Sequence, residues 1–203
     1  RIGSKFLQVS VGFGGSCFQK DILNLVYIAK SLGLNKVADY WHQVILMNNH
    51  QRDRFTKNII KTLYSTVCGK TIAFLGWAFK KDTNDTRESA AIYVADLLIE
   101  EQATIKVYDP KVTATKIQSD LNYLNTRSQK KNNKYLKIEN DPYLIMEGAH
   151  AIAVLTEWDE FKTYDWNRIY HQMQKPAFVF DGRNILDREA LETIGFVYKG
   201  IGF

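Results

Sequence analysis

Residues 70–110 read KTIAFLGWAFKKDTNDTRESAAIYVADLLIEEQATIKVYDP. The stretch opens on a short apolar run that stops at Gly76, which reads as a buried strand. A polar, charged turn follows. RESAAIYVADLLIEEQ then repeats its apolar residues at helical spacing, and TIKVYDP returns to strand grammar. Strand, helix, strand with short connections calls for two parallel strands joined by a crossover helix.

The same grammar continues to the end of the chain. DPYLIMEG reads as a short helix, HAIAVLTEW as a strand, YDWNRIYHQM as a helix and PAFVFDGR as a strand; ALETIGF and FVYKGIG close the chain. Alternating elements of this kind predict an α/β domain, a doubly wound parallel sheet covered on both faces. The polar, basic stretch from Thr113 to Lys137, with RSQKKNNKYLK at its end, reads as a surface excursion.

Upstream the pattern is different. Residues 1–20 are rich in Gly and Ser and lack periodicity, so they read as a loop. DILNLVYIAKSLG places Ile22, Leu25, Val26 and Ala29 on one helical face, with Asp21 as its cap and Gly33 at its end. From Asn35 to Val67 no Gly or Pro interrupts, and Val37, Tyr40, Trp41, Val44, Ile45, Asn48, Phe55, Ile59 and Leu63 recur every three or four residues. A helix that long spans two domains or packs on a partner. The expected organisation is a helical segment over 1–66 and the sheet domain over 67–203.

Composition sets outer bounds. The 203 residues are 45% hydrophobic and 24% charged, ordinary for a globular chain, and the net charge of +5 favours anionic ligands. The two cysteines, Cys17 and Cys68, lie far apart, which excludes a disulfide scaffold and fits a reducing, cytoplasmic compartment. No apolar run approaches a membrane span, and no nucleic-acid motif accompanies the basic charge. The four histidines have no metal-ligand spacing, so no metal site is expected. Gly12–Cys17 begins like a dinucleotide fingerprint, but it lacks the last glycine and a preceding strand; Gly69-Lys70-Thr71 resembles the end of a P-loop but leads into a strand.

Three segments carry possible chemistry. In GFGGSCFQKD, residues 12–21, Cys17 stands among glycines with Lys20 and Asp21 close by. At the start of a helix a thiolate would be favoured and a substrate could approach closely. The residues alone leave two readings open, a nucleophile or a small cysteine packed under a loop. In GWAFKKDTNDTRES, residues 76–89, Asp85 and Glu88 form a capping-box pattern, and Lys80, Lys81 and Arg87 stand beside the expected helix start, an arrangement suited to a phosphate. In PAFVFDGRN, Arg183 follows a strand on the same edge of the sheet.

Taken together, VGFGGSCFQKD, LGWAFKKDTNDTRES, YDPKV, TEWDEF and FDGRNILD resemble the UDP-glucose 6-dehydrogenases of animals, in order and along essentially the whole chain. The resemblance implies a Rossmann-like UDP-binding domain after a long central helix that supports dimers. It implies NAD-dependent, two-step oxidation of UDP-glucose to UDP-glucuronate through a thiohemiacetal and a thioester on Cys17, with Asp21 handling water. It assigns the sugar nucleotide to Arg1, to the loop Gln8, Val9, Ser10, Val11, Gly12, Phe13 and Gly14, and to Phe79, Lys80 and Arg183. It assigns the cofactor to Cys17, Phe18, Gln19, Lys20 and Arg87. Gln8 stands where animal enzymes commonly carry Lys, and Asn184 replaces an Arg. The family also has an N-terminal NAD-binding domain with a Glu, a Lys and an Asn of the catalytic machinery, all of which would precede Arg1. The isolated 203 residues are therefore expected not to turn over. The rival expectation is a non-catalytic chain that binds UDP-sugars or pairs with complete subunits.

Overall fold

A computed structural model describes residues 3, 4 and 7–202. Two helices packed on each other come first, α1 (Phe18–Ser31) and α2 (Asn35–Thr62). The rest is a six-stranded sheet built from β1 (Thr71–Leu75), β2 (Thr104–Tyr108), β3 (Leu136–Ile138), β4 (Ala151–Val154), β5 (Phe178–Asp181) and β6 (Val197–Gly200). Every pairing is parallel and the order is β3-β2-β1-β4-β5-β6. The connecting helices are α3 (Ala90–Glu100), α4 (Ala114–Tyr123), α5 (Gln129–Tyr135), α6 (Pro142–Met146), α7 (Trp166–Gln172) and α8 (Arg188–Ile194).

The central strands explain themselves by composition. β1, β4 and β5 read TIAFL, AIAV and FVFD, and nearly every residue in them is fully buried, as a parallel sheet covered on both faces requires. β2 alternates buried and half-buried residues because it lies nearer the edge. One core cluster takes in this sheet, its helices and the C-terminal half of α2 through Phe55, Ile59 and Leu63. A second, smaller cluster of Ile22, Val26, Ala29, Ala38 and Ile45 joins α1 to the N-terminal half of α2. The 28 residues of α2, about 42 Å at ~1.5 Å per residue, thus serve both cores.

Several expectations change. The basic stretch Thr113–Lys137 is no excursion: it forms α4, α5 and the edge strand β3. Its apolar positions are few but buried, Ile117, Leu121 and Leu136 among them, and Arg127 is tied to Asp96 at 2.6 Å and to Glu100 at 3.1 Å. α1 starts at Phe18, with Cys17 in the N-cap position, so Asp21 lies in the first turn and does not cap. The apolar stripe of α2 is broken: Val37, Tyr40 and Trp41 are exposed, whereas Asn48 and Arg52 are buried. The capping box is not made. Ser89 caps α3, its hydroxyl accepting from the Ala91 N–H, while Glu88 takes a left-handed φ of 55°.

Candidate active site

The order of the sheet reverses between β1 and β4, and in such sheets ligands meet the crevice beyond the carboxyl ends of the strands. Gly76 ends β1 at φ 97°; a Cβ there would stand 2.3 Å from Thr156. The backbone then folds back tightly. Asp109, beyond β2, accepts from the Trp77 and Ala78 N–H groups at 2.7 and 3.0 Å, and the Thr156 hydroxyl donates to Ala78 O at 2.6 Å. Trp77 is wholly buried, its indole N–H donating to Asp120. The crevice floor is therefore packed, and the open surface begins at Phe79.

Arg183 stands just past β5. The buried carboxylate of Asp181 fixes its loop by accepting from the N–H groups of Arg183, Ile185 and Leu186 and from the Tyr198 hydroxyl. The Arg183 guanidinium reaches Glu157 at 2.7 Å and donates to Ser10 Oγ at 2.5 Å. Burial pulls the basicity of Arg183 down, opposed by Glu157 and then Asp181. Ser10 in turn donates to Gly12 O at 2.9 Å. The arginine at one strand end thus grips the loop that leads to the cysteine.

That loop then crosses the sheet edge. Val11 is buried against Gly182, where a Cβ would stand 2.5 Å from its methyl group. The Phe13 N–H donates to Asn48 Oδ1 at 2.8 Å, and Phe13 O accepts from Asn48 and from Arg52, each at 3.1 Å. A Cβ on Gly14 would lie 2.6 Å from Glu88 O and 2.9 Å from Phe79 Cβ; Gly15, at φ 93°, lies against the Phe79 ring. The Gly15 N–H donates to Arg87 O at 2.7 Å. The glycines are required by this approach of backbone to backbone.

Cys17 follows, exposed, with its sulfur 3.5 Å from Ser16 Oγ. The Asp21 N–H donates to Cys17 O at 2.8 Å, and four residues along a helix puts the two side chains on one face. Lys20 and Asp21 are both solvent-exposed, 3.9 Å apart. Phe18 stacks edge-on with Phe13, the ring centroids 4.6 Å apart. Beside Cys17 opens a cavity of about 550 Å³ lined by Ser16, Gln19, Lys20, Thr86, Arg87 and Tyr93 among others. Two of its polar atoms, Gln19 Oε1 and the buried Thr86 Oγ1, have no hydrogen-bond partner.

The expected residues Ser10 to Gly14, Cys17 to Asp21, Phe79, Arg87 and Arg183 are therefore brought along one edge of the sheet. Lys80 is exposed, its ammonium 5.4 Å from the Phe79 ring centroid. Gln8, at the start of the loop, is exposed and Val9 half-buried. Arg1 lies outside the described residues. The phosphate cradle at the start of α3 does not form: that helix end is buried, Arg87 is engaged by Asp85 at 2.7 Å, and Lys81 pairs with Asp159 at 2.5 Å. The pairing with Asp85 raises the basicity of Arg87, whose side chain lines the same cavity as Ser16.

Sequence reasoning missed Glu157, Arg52 and the Glu88–Tyr93 pair. One signal was available: Asn48 and Arg52, four apart, fall on the buried phase of α2, where polar residues need partners. Among the described residues no cluster of three or more His, Cys, Asp or Glu could hold a metal ion, and no helix is long and apolar enough to cross a membrane.

The sheet order and its crevice define a class of fold, the doubly wound parallel α/β domains in which ligands meet the carboxyl ends of the strands. The model of the UDP-glucose/GDP-mannose dehydrogenase family's UDP binding domain matches residues 73–188, and that of its central domain matches residues 1–50. The chain belongs to this family. Its whole length is 56% identical to a UDP-glucose 6-dehydrogenase of Drosophila melanogaster and 52% identical to that of Mus musculus, spanning 43% and 41% of those proteins. Among solved structures, a UDP-glucose dehydrogenase of Pyrobaculum islandicum superposes with a TM-score of 0.74 at 26% identity, covering all of this chain and 40% of that one. A UDP-D-ManNAc dehydrogenase of Pyrococcus horikoshii gives 0.68 at 26% identity, over 95% of this chain and 39% of that one. The chain thus spans about two fifths of the length of these relatives.

Proposed function

We propose that this chain carries the substrate nucleotide site and the nucleophilic thiol of an NAD-dependent UDP-glucose 6-dehydrogenase. The observation that carries the reading is the joined path from Arg183 through Ser10 and the glycine loop to Cys17. A cation for the diphosphate and a thiol for the sugar carbon then sit on one rigid support. The relatives are dehydrogenases, which favours this over a binding-only module.

In this reading Arg183, held by Glu157, and Lys80 face the diphosphate, and Phe79 with residues 8–14 borders the nucleotide sugar. Arg1 belongs to the same proposed set. The cavity beside Cys17 suits the nicotinamide end of NAD: Gln19 Oε1 and Thr86 Oγ1 lack partners and can engage an amide, and Lys20 and Arg87 supply positive charge. Cys17, Phe18, Gln19, Lys20 and Arg87 would hold it. When bound, the nicotinamide supplies the hydride acceptor for both oxidations. The chain's own contribution is covalent: Cys17 Sγ adds to the C6 aldehyde to give a thiohemiacetal, later carries the carbon as a thioester, and is released when water attacks with Asp21 orienting it. Exposure of the thiol and its neighbouring carboxylate makes both accessible to that chemistry.

The proposed domains are the helical segment, residues 1–66, and the sheet domain, residues 67–203. Tyr27, Leu32, Tyr40 and Met47 are exposed on the α1–α2 hairpin, which supports self-association through the long helix, as a dimer or a dimer-based oligomer. The two unpaired, exposed thiols fit a reducing, cytoplasmic setting.

Calorimetric titration of the chain with UDP-glucose and with GDP-mannose tests the reading. UDP-glucose should bind, GDP-mannose should bind more weakly, and Arg183→Ala should weaken UDP-glucose by at least about tenfold. Equal affinity for both sugar nucleotides, or an unchanged affinity in Arg183→Ala, refutes it.

A further inference from the structure

Arg52 lies in the middle of α2 and is 2% exposed. Its Nη2 donates to two carbonyls from different loops, Phe13 O at 3.1 Å and Glu88 O at 2.9 Å. Its Nη1 lies 3.9 Å from Glu88 Oε2, and its guanidinium lies 4.0 Å over the Tyr93 ring. The Tyr93 hydroxyl donates to the same Glu88 carboxylate at 2.6 Å. One turn earlier, Asn48 closes a two-way pair with the backbone of Phe13.

This is an expensive way to fill a core. Burial lowers the basicity of Arg52, with Tyr93 and Glu88 opposing, and Nε has no partner at all. A methionine or leucine of similar volume would avoid that cost. What the guanidinium achieves, and an apolar side chain would not, is to fasten two loops to each other. One is the glycine loop that ends in Cys17. The other carries Arg87 and turns at Glu88, which is held at φ 55°. Where the loops meet, the Gly15 N–H donates to Arg87 O at 2.7 Å. Cys17 and Arg87 therefore hang from two segments that meet each other and converge on one buried cation.

We propose that Arg52 is a positioning residue: by holding Phe13 O and Glu88 O together it sets where Cys17 stands relative to the Arg87 guanidinium. It does not touch the sulfur, and it meets the glycine loop only through the Phe13 carbonyl. The proposal rests on Cys17 being the reactive thiol, and its test requires neither nucleotide binding nor turnover.

The test compares alkylation of Cys17 by iodoacetate, an anion, with alkylation by neutral iodoacetamide, in the full 203-residue chain. Peptide mass spectrometry resolves Cys17 from the exposed Cys68, which serves as an internal reference. A cation held beside the sulfur favours the anionic reagent, so the ratio of the two rates reports the placement of Arg87. In Arg52→Met the ratio at Cys17 should fall about threefold or more, at low salt, while that at Cys68 stays constant. Arg52→Lys, which can reach one carbonyl but not two, should fall between. Tyr93→Phe, which frees one side of Glu88, should lower the ratio in the same direction and keeps the test decisive if Arg52→Met does not fold. An unchanged ratio at Cys17 in the folded variants overturns the proposal, and so does a parallel change at Cys68. A chain that binds no UDP-glucose yet shows the Cys17 effect would sink the substrate reading and leave the role of Arg52 intact.

Discussion

Gly182→Ala tests whether the glycine loop is seated on the sheet. The added Cβ would stand 2.5 Å from Val11 Cγ2 and 2.7 Å from Val154 O, with Phe55 Cζ at 3.5 Å. The Gly182 N–H also donates to Val154 O at 2.9 Å, so the backbone cannot retreat from β4 without losing that bond. Two buried neighbours would have to give way by the better part of an ångström. Overpacking of this kind costs about 1–3 kcal/mol. For a chain of this size each kcal/mol lowers the melting temperature by about 2–4 °C, so a fall of roughly 2–12 °C is expected. The easier movement is of Val11, which lies on the loop, and this carries Ser10 away from Arg183. Affinity for UDP-glucose should therefore drop with stability. Circular-dichroism melting and calorimetry read the two effects, and Gly3→Ala, with nothing within 4 Å of its Cβ, is the control. A melting temperature within about 1 °C of the parent, with affinity unchanged, would mean the loop is not held there and would undo the account of the site.

Two further outcomes are expected. His150 Nδ1 accepts from the Thr71 N–H at 3.1 Å, and burial, helped by Lys70, lowers the basicity of the ring below its ordinary value. Its contribution is present above the unfolded value of about 6.5 and is lost as the pH falls below it; melting temperature should decline between about pH 7.5 and 5.5, and less steeply in His150→Asn. Ser89→Ala removes the cap of α3 and should cost about 1 kcal/mol, read as a lower melting temperature than that of the exposed control Ser31→Ala.

The sheet was readable because buried parallel strands must be short, apolar and bounded by turns, as TIAFL and FVFD are. β3 was not readable. Its three residues carry one buried side chain, Leu136, and its existence depends on pairing with β2. The failed phosphate cradle has a similar cause. Lys81 and Arg87 look free in sequence, but Asp159 is 78 residues away from its lysine, and the burial of the α3 start comes from the loop that crosses it.

For the site, local chemistry picked out Cys17, Asp21, Arg87 and Arg183, since a thiol among glycines and an arginine past a strand are visible in a few consecutive residues. The roles of Glu157, Asn48 and Arg52 were not legible, although the helical phase of the last two was, because those roles lie in contacts across 26 to 39 positions: Glu157 with Arg183, and Asn48 and Arg52 with Phe13.

By itself the sequence determined the alternation of strands and helices, the long second helix, and the family to which the chain belongs. These follow from periodicity and from motifs that are local along the chain. Only the tertiary structure decided which face of the long helix is buried, that the thiol loop is tied to both Arg183 and Arg87, and that a buried arginine holds the knot. Such pairings are set by how separate segments exclude water and satisfy each other's polar groups, and that is settled only when the chain is packed.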